Sequence, residues 1–364
     1  NMEWQAVEIR PCQRILLILI LIHSTCIQCN PIKVNSEVTR RTLIQMPKIH
    51  VNKPDSYICM AVPVTDLEFS TVVGFKIDVV KEITHHVSIA FCEQYETDQT
   101  LWDCKSSHGH ICSGRSTVFG GWDGWSKNHS DTVFPDDVGI QLGKDVKLNY
   151  VIIQTHFKEA VPDPDVLKSN PTNVTLFLAE ESRNYSYQKV SLYSSGYIPA
   201  FSEDFKAEIT CKWESVPVNL YEYFAHTHNY GQLIEGYIIR NNTKILLAMD
   251  KPKGKSHDTV KIEGRHIEIR PGDILAVRCS YRNTGPGKVL FGLGGTDEMC
   301  NLELTFKYDA KEINAFPQSV KCGSDAQEKV WCPNGGHNQV GVLCDLQHEA
   351  ANKAALEDVH KLIM

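Results

Sequence analysis

Positive charge is scarce in this sequence of 364 residues: 37 lysines and arginines stand against 44 aspartates and glutamates, a formal net charge of -7. No basic stripe gathers along the chain, so a nucleic-acid partner is excluded, since such binding needs concentrated cation. Long apolar runs are lacking too. The run 15–22 is too short to cross a bilayer as a helix, and no transmembrane segment is expected. CxxC pairs of the structural-zinc kind are missing, because the one close pair, Cys26 and Cys29, falls beside that apolar run. Long amphipathic helical patterns, internal repeats and low-complexity tracts are absent between residues 41 and 320, which removes βαβ, solenoid and disordered classes.

What is present begins with a leader. Arg10 and Arg14 precede the run 15–22, and Ser24, Thr25 and Cys26 follow, the layout of a secretory signal peptide. Residues 1–29 are assigned to it, with cleavage expected between Ser24 and Asn30. Beyond the leader stand ten cysteines: Cys59, Cys92, Cys104, Cys112, Cys211, Cys279, Cys300, Cys322, Cys332 and Cys344. An even number in a secreted chain reads as disulfides. Sequons at Asn128, Asn173, Asn184 and Asn241 agree with the secretory lumen and a glycoprotein.

Strand-like segments at 72–80, 147–154, 174–179, 208–213, 233–240, 243–248, 274–281 and 301–308 alternate or are rich in β-branched and aromatic residues. Separated by turn clusters, they predict an all-β chain of two tandem antiparallel β-sandwiches. The expected division is residues 41–190 and 191–325, with candidate junctions at 163–173 and 193–202. The tail 326–364 carries Cys332 and Cys344, which could close a small loop, and a helical spacing of Leu346, Ala350, Ala354 and Leu362.

The chemistry centres on His226-Thr227-His228. On an extended backbone the two imidazoles share one face and can converge on one metal ion. The same pattern fits a polar strand face, so further ligand-type side chains matter. His85-His86 is one such pair, although neighbours on a regular strand point to opposite faces and only a bend or strand end would bring both to one ion. His156 and Met299 complete the set.

These residues sit in ordered motifs: Tyr57-Ile-Cys59-Met, Thr84-His85-His86, Gln154-Thr-His156-Phe, His226-Thr-His228 and Asp297-Glu-Met299-Cys300-Asn301-Leu. Together they resemble the motifs of the peptidylglycine α-hydroxylating monooxygenase family, copper enzymes related to dopamine β-monooxygenase. The resemblance runs from about Lys48 to Cys322. It implies two copper ions, one per sandwich: His85, His86 and His156 hold an electron-transfer copper, and His226, His228 and Met299 hold the oxygen-activating one. His226, His228, Met299 and Gln154 form the implied catalytic set. A soft thioether such as Met299 favours Cu(I), the state that meets dioxygen, and would serve zinc poorly. Ascorbate is the implied reductant, O2 the co-substrate and a glycine-extended peptide the substrate. The product is a carbinolamide, whose cleavage falls to a separate amidating lyase. The family's disulfides carry over as Cys59 with Cys104, Cys92 with Cys112, Cys211 with Cys322 and Cys279 with Cys300, leaving Cys332 and Cys344 as an extra pair.

The implied substrate site comprises Asn301, Tyr57, Glu303 and Phe224. Here the chain departs from the family, which has tyrosine at the place of Glu303 and arginine at the place of Phe224. A peptide carboxylate would lose a cation and meet a like charge, which weakens binding by about 2–5 kcal/mol. A monooxygenase acting on another substrate, such as an amine drawn to Glu303, and a copper-binding protein without turnover are the alternatives. A compensating base reaching in from Arg240, Arg282 or Lys307 would restore carboxylate binding.

Overall fold

Turn residues cut this chain into short strands, and the strands close their hydrogen bonds on one another. The computed structural model describes residues 38–327 apart from 68–69, 105–110, 124–130, 168, 253–258, 263–265, 293, 295 and 315–321. The expected leader, the Cys332–Cys344 pair and the helical spacing of the tail lie outside the described residues. Among the described residues there is no α-helix, only short 3-10 turns, and no helix is long and apolar enough to cross a membrane.

The first half holds β1 (Arg40–Gln45), β2 (Ser56–Pro63), β3 (Thr71–Val79), β4 (Thr84–Tyr95), β5 (Leu101–Asp103), β6 (Cys112–Asp123), β7 (Asp131–Val133), β8 (Ile140–Gln141), β9 (Tyr150–Phe157) and β10 (Thr172–Ala179). One sheet runs β1-β10-β3-β7 with β8 also on β3, and another runs β5-β2-β9-β4-β6. The second sheet uses the two-residue period to serve two purposes. Val87, Ile89, Phe91, Val151 and Ile153 point into a core shared with Val72, Phe75 and Ile77 of β3. Tyr57, Cys59, Ala61, Ala90, Cys92 and Ile152 point the other way, into a smaller cluster that contains Cys104. The Cys59–Cys104 and Cys92–Cys112 bonds lie on that outer face.

The second half holds β11 (Tyr185–Ser195), β12 (Tyr197–Ile198), β13 (Ser202–Lys212), β14 (Val218–His226), β15 (Gly231–Arg240), β16 (Thr243–Asp250), β17 (Val260–Lys261), β18 (Glu268–Ile269), β19 (Ile274–Asn283), β20 (Val289–Leu290), β21 (Asn301–Asp309) and β22 (Cys322–Asp325). Its sheets are β17-β14-β21-β11-β22 with β18 on β14, β13-β19-β15-β16, and the pair β12-β20. Trp213 and Phe306 meet edge to face at 5.2 Å in the core, both fully buried. The β15–β16 hairpin shows why local sequence decides a turn: Arg240 pairs with Thr243, and Asn241 and Asn242 take φ of 50° and 57°. Asparagine tolerates that left-handed conformation better than most residues, and two such positions match the twist of the strands they join. Cys211–Cys322 and Cys279–Cys300 cross-link this half.

Ladder partners change between Ala179 and Tyr185, and β11 runs unbroken across residue 190. A cut between residues 190 and 191 would therefore sever a strand. Phe134 packs on Tyr187 at 5.0 Å, Thr117 donates its hydroxyl to the Tyr187 carbonyl, and Lys307 pairs with Asp137 at 2.5 Å. One continuous core cluster includes residues of both halves.

Candidate metal centres

A β-bulge makes the first histidine set. Opposite β9, Thr84 pairs with Phe157 and His86 with His156, so His85 is the extra residue of β4 and escapes the alternation that would send it to the opposite face. Adjacent histidines thereby reach one place. His85 Nδ1 lies 2.9 Å from His156 Nδ1, which lies 3.4 Å from His86 Nδ1. Bonds of about 2.0 Å to one ion would span those edges at angles of about 90° and 120°, so the donor set fits a single metal. The three residues are a potential metal-holding group by their convergence. Burial, then the charges of His156, His85 and His226, hold the His86 imidazole well below its usual range, so it stays neutral and able to ligate.

The strand partner of His156 is Tyr57, whose ring stacks on the imidazole at 3.9 Å and 14°. Burial pushes the Tyr57 phenol up, and the charges of Asp55 and Asp297 add to the shift. Gln154 lies two residues from His156 on the same face, with its amide 3.6 Å from Cys104 Sγ and 3.8 Å from Cys59 Sγ. It sits against the disulfide beside the histidines.

The second set forms where β14 ends. His226 is its last residue, Thr227 and His228 follow outside the strand, and the two imidazoles meet edge to face at 5.0 Å. His226 is the strand partner of Asn301, whose amide nitrogen lies 3.4 Å from Met299 Sδ. The thioether thus faces the strand position next to His226. His228 Nδ1 lies 2.5 Å from the Asp297 carbonyl, so it donates there and leaves Nε2 for a ligand. A soft sulfur and two imidazoles make a donor set suited to copper.

Sequence reasoning missed Glu298, which holds this site together. Its side chain is 0% exposed. Its carboxylate accepts the main-chain N–H of His228, of Tyr230 at 2.9 Å and of Met299 at 2.8 Å. Burial pushes its carboxyl up, opposed by those three N–H donors. An acid directly before a ligand-type methionine was the available signal.

Beyond the ligands, β11, β21 and β14 lay out rows on one face. Tyr193, Asn301 and His226 form one row; Ser191, Glu303 and Phe224 the next; Lys189, Thr305 and Glu222 a third. The Phe224 ring stacks on His226 at 5.7 Å and 12°. Glu303 is paired: Lys189 Nζ lies 3.1 Å from its Oε2, with side chains 24% and 29% exposed. The three bases expected from sequence neighbourhood are tied elsewhere. Arg240 is bound to Asp273, Arg282 to Glu203 and Lys307 to Asp137. The base that reaches Glu303 is Lys189, placed there by the β11–β21 register.

Comparison with known proteins agrees with this donor chemistry. Residues 42–162 match the family model for the N-terminal domain of copper type II ascorbate-dependent monooxygenases, and residues 188–330 match the C-terminal domain of the same family. The chain is 27% identical to peptidyl-glycine alpha-amidating monooxygenase B of Xenopus laevis, over 77% of this chain and 31% of that protein. Against peptidylglycine alpha-amidating monooxygenase of Rattus norvegicus it is 26% identical, over 76% of this chain and 28% of that one. A putative DBH-like monooxygenase protein 2 of Homo sapiens is 26% identical over 54% of this chain and 42% of that one. The chain spans about a third of the length of the amidating relatives. Among solved structures, the major capsid protein P2 of Bacteriophage PM2 gives a TM-score of only 0.31 at 8% identity, over 74% of this chain and 98% of that one. On its two matched domains, the chain belongs to the copper type II, ascorbate-dependent monooxygenases.

Proposed function

We propose that this protein is a two-copper monooxygenase that hydroxylates the α-carbon of a C-terminal glycine in peptides, the first step of C-terminal amidation. His85, His86 and His156 hold one copper on an N-terminal β-sandwich domain. His226, His228 and Met299 hold the other on a C-terminal one. Bound copper supplies one-electron chemistry with ascorbate as reductant and O2 as co-substrate. The observation that carries the reading is the convergence of three Nδ1 atoms on one point within electrostatic reach of His226. A leader, disulfides and a separate lyase acting on the product fit a reaction in the secretory lumen.

For the substrate, Lys189 supports a carboxylate. On this reading its ammonium, held beside Glu303 one row from His226, takes the part that an arginine at position 224 would have played. On the same reading Asn301 and Tyr57 help to bind the substrate, Phe224 stacks on His226, and Glu303 positions the lysine. An amine substrate is the second reading, favoured by Glu303 and Glu222, two acids against one lysine on these rows.

Product mass after incubation with an acyl-glycine peptide, copper and ascorbate tests the reaction, with gain of one oxygen expected and its absence refuting the glycine assignment. KM for the same peptide as free acid and as amide tests the anchor. Lys189→Gln should raise KM for the free acid at least about tenfold, or 1.4 kcal/mol, and leave the amide unchanged. A wild type that prefers the amide or an amine would instead support the second reading.

A further inference from the structure

Outside the ligand sets, the acidic side chain of Asp55 touches the first histidine cluster. Asp55 Oδ1 lies 2.7 Å from His156 Nε2, on the side of the ring opposite the Nδ1 that faces His85 and His86. A carboxylate accepts and cannot donate, so this bond places the His156 proton on Nε2 and leaves the Nδ1 lone pair for the metal. The backbone favours an acid here, because Asp55 takes φ of 59° immediately before β2, a left-handed conformation that aspartate and asparagine tolerate and alanine resists. Its other oxygen lies near Gly294 of the second half. A β-carbon built on Gly294 would lie 3.7 Å from Asp55 Oδ2, and Gly294 opens the turn whose Asp297 carbonyl accepts from His228. The carboxylate is therefore bonded to the first histidine set on one oxygen and has the other near the turn whose carbonyl orients His228.

We propose that Asp55 is a positioning residue of the first copper site: it fixes the tautomer and orientation of His156, and its charge, transmitted through the imidazole, stabilises the oxidised metal and lowers the reduction potential there. A lower potential at the first copper makes it the better electron donor toward the second. The inference rests on the copper reading above and concerns a residue that touches no substrate.

Two variants separate the charge from the hydrogen bond. Asp55→Asn keeps an oxygen acceptor for His156 Nε2 and suits the left-handed backbone, but removes the charge; Asp55→Ala removes both. The full chain is loaded with copper, first-site affinity is read by competition with a chelator, and the potential by redox titration of the Cu(II) electron paramagnetic resonance signal. Asp55→Ala should weaken first-site affinity 10–100-fold. Asp55→Asn should weaken it less than tenfold and shift the potential upward. Second-site occupancy, measured in the same samples, reports that the variants are folded. If Asp55→Ala fails to fold, the asparagine variant decides alone. Unchanged affinity and potential in the asparagine variant, or a fall in thermal stability alone, overturns the proposal. A wild type that takes up no copper overturns the copper reading itself, and that is seen before any variant is made.

Discussion

Replacing Glu298 by glutamine changes one atom's chemistry at the joint between two ligand-bearing segments. Both oxygens of the wild-type side chain accept main-chain N–H groups, from His228 and Met299 on one and from Tyr230 on the other, so the group is the carboxylate. In Glu298→Gln the Oε1 bonds survive, while the new amide NH2 faces the Tyr230 N–H, donor against donor, in a fully buried place. A buried donor left without an acceptor costs about 1–3 kcal/mol, and a charge-assisted bond is lost as well. Against this, glutamine relieves the burial of a charge, the same effect that pushes the Glu298 carboxyl up. A net loss of about 1–3 kcal/mol remains. At about 2–4 °C per kcal/mol for a domain of 150–250 residues, the melting temperature should fall by about 2–12 °C. The functional effect is larger than the thermal one, because a neutral amide holds the His228 and Met299 N–H groups more weakly than the carboxylate does, and the bond to Tyr230, two residues beyond His228, is lost. Copper affinity at the second site should drop at least tenfold while the first keeps its copper. Thermal unfolding and a chelator titration on the same preparation measure both. A variant that melts and binds copper like the wild type would show that the three N–H bonds do not organise the site.

Two other perturbations probe the ligands and the frame. Met299→Ile should fold, since a hydrophobic swap of similar volume usually costs less than about 1.5 kcal/mol, but should lose ascorbate-driven oxygen consumption; wild-type rates would make Met299 a packing residue. Reducing Cys211–Cys322, which joins residues 111 apart, should lower stability by about 2–4 kcal/mol, and peptide mapping that pairs Cys211 with another cysteine would show the disulfide framework wrong while leaving the all-β fold standing.

Much of this fold was legible because its strands carry their own signals: β15, β16, β19 and β21 match the apolar alternation to within two residues at each end. The histidine motifs were legible as candidate ligands for a similar reason, since imidazole pairs and a methionine in order have few other readings together. Tertiary register was not legible. Whether His85 and His86 could share an ion depended on a bulge at Thr84–His86, set by the alignment of β4 against a strand some seventy residues away in sequence. Lys189 was missed for the same reason: it lies 114 residues from Glu303, and the bases sought near Glu303 and Phe224 in sequence proved to be held by Asp273, Glu203 and Asp137. Asp55, 101 residues from His156, carries no local mark beyond being an acid in a turn.

On the proposed function, two separate sets of side chains each hold a copper ion. Metal content of the purified chain, measured beside that of His226→Ala, tests it most directly. Two coppers per chain are expected in the wild type and one in the variant, with the remaining copper still bound through His85, His86 and His156. One copper or none in the wild type, or two in the variant, would contradict it.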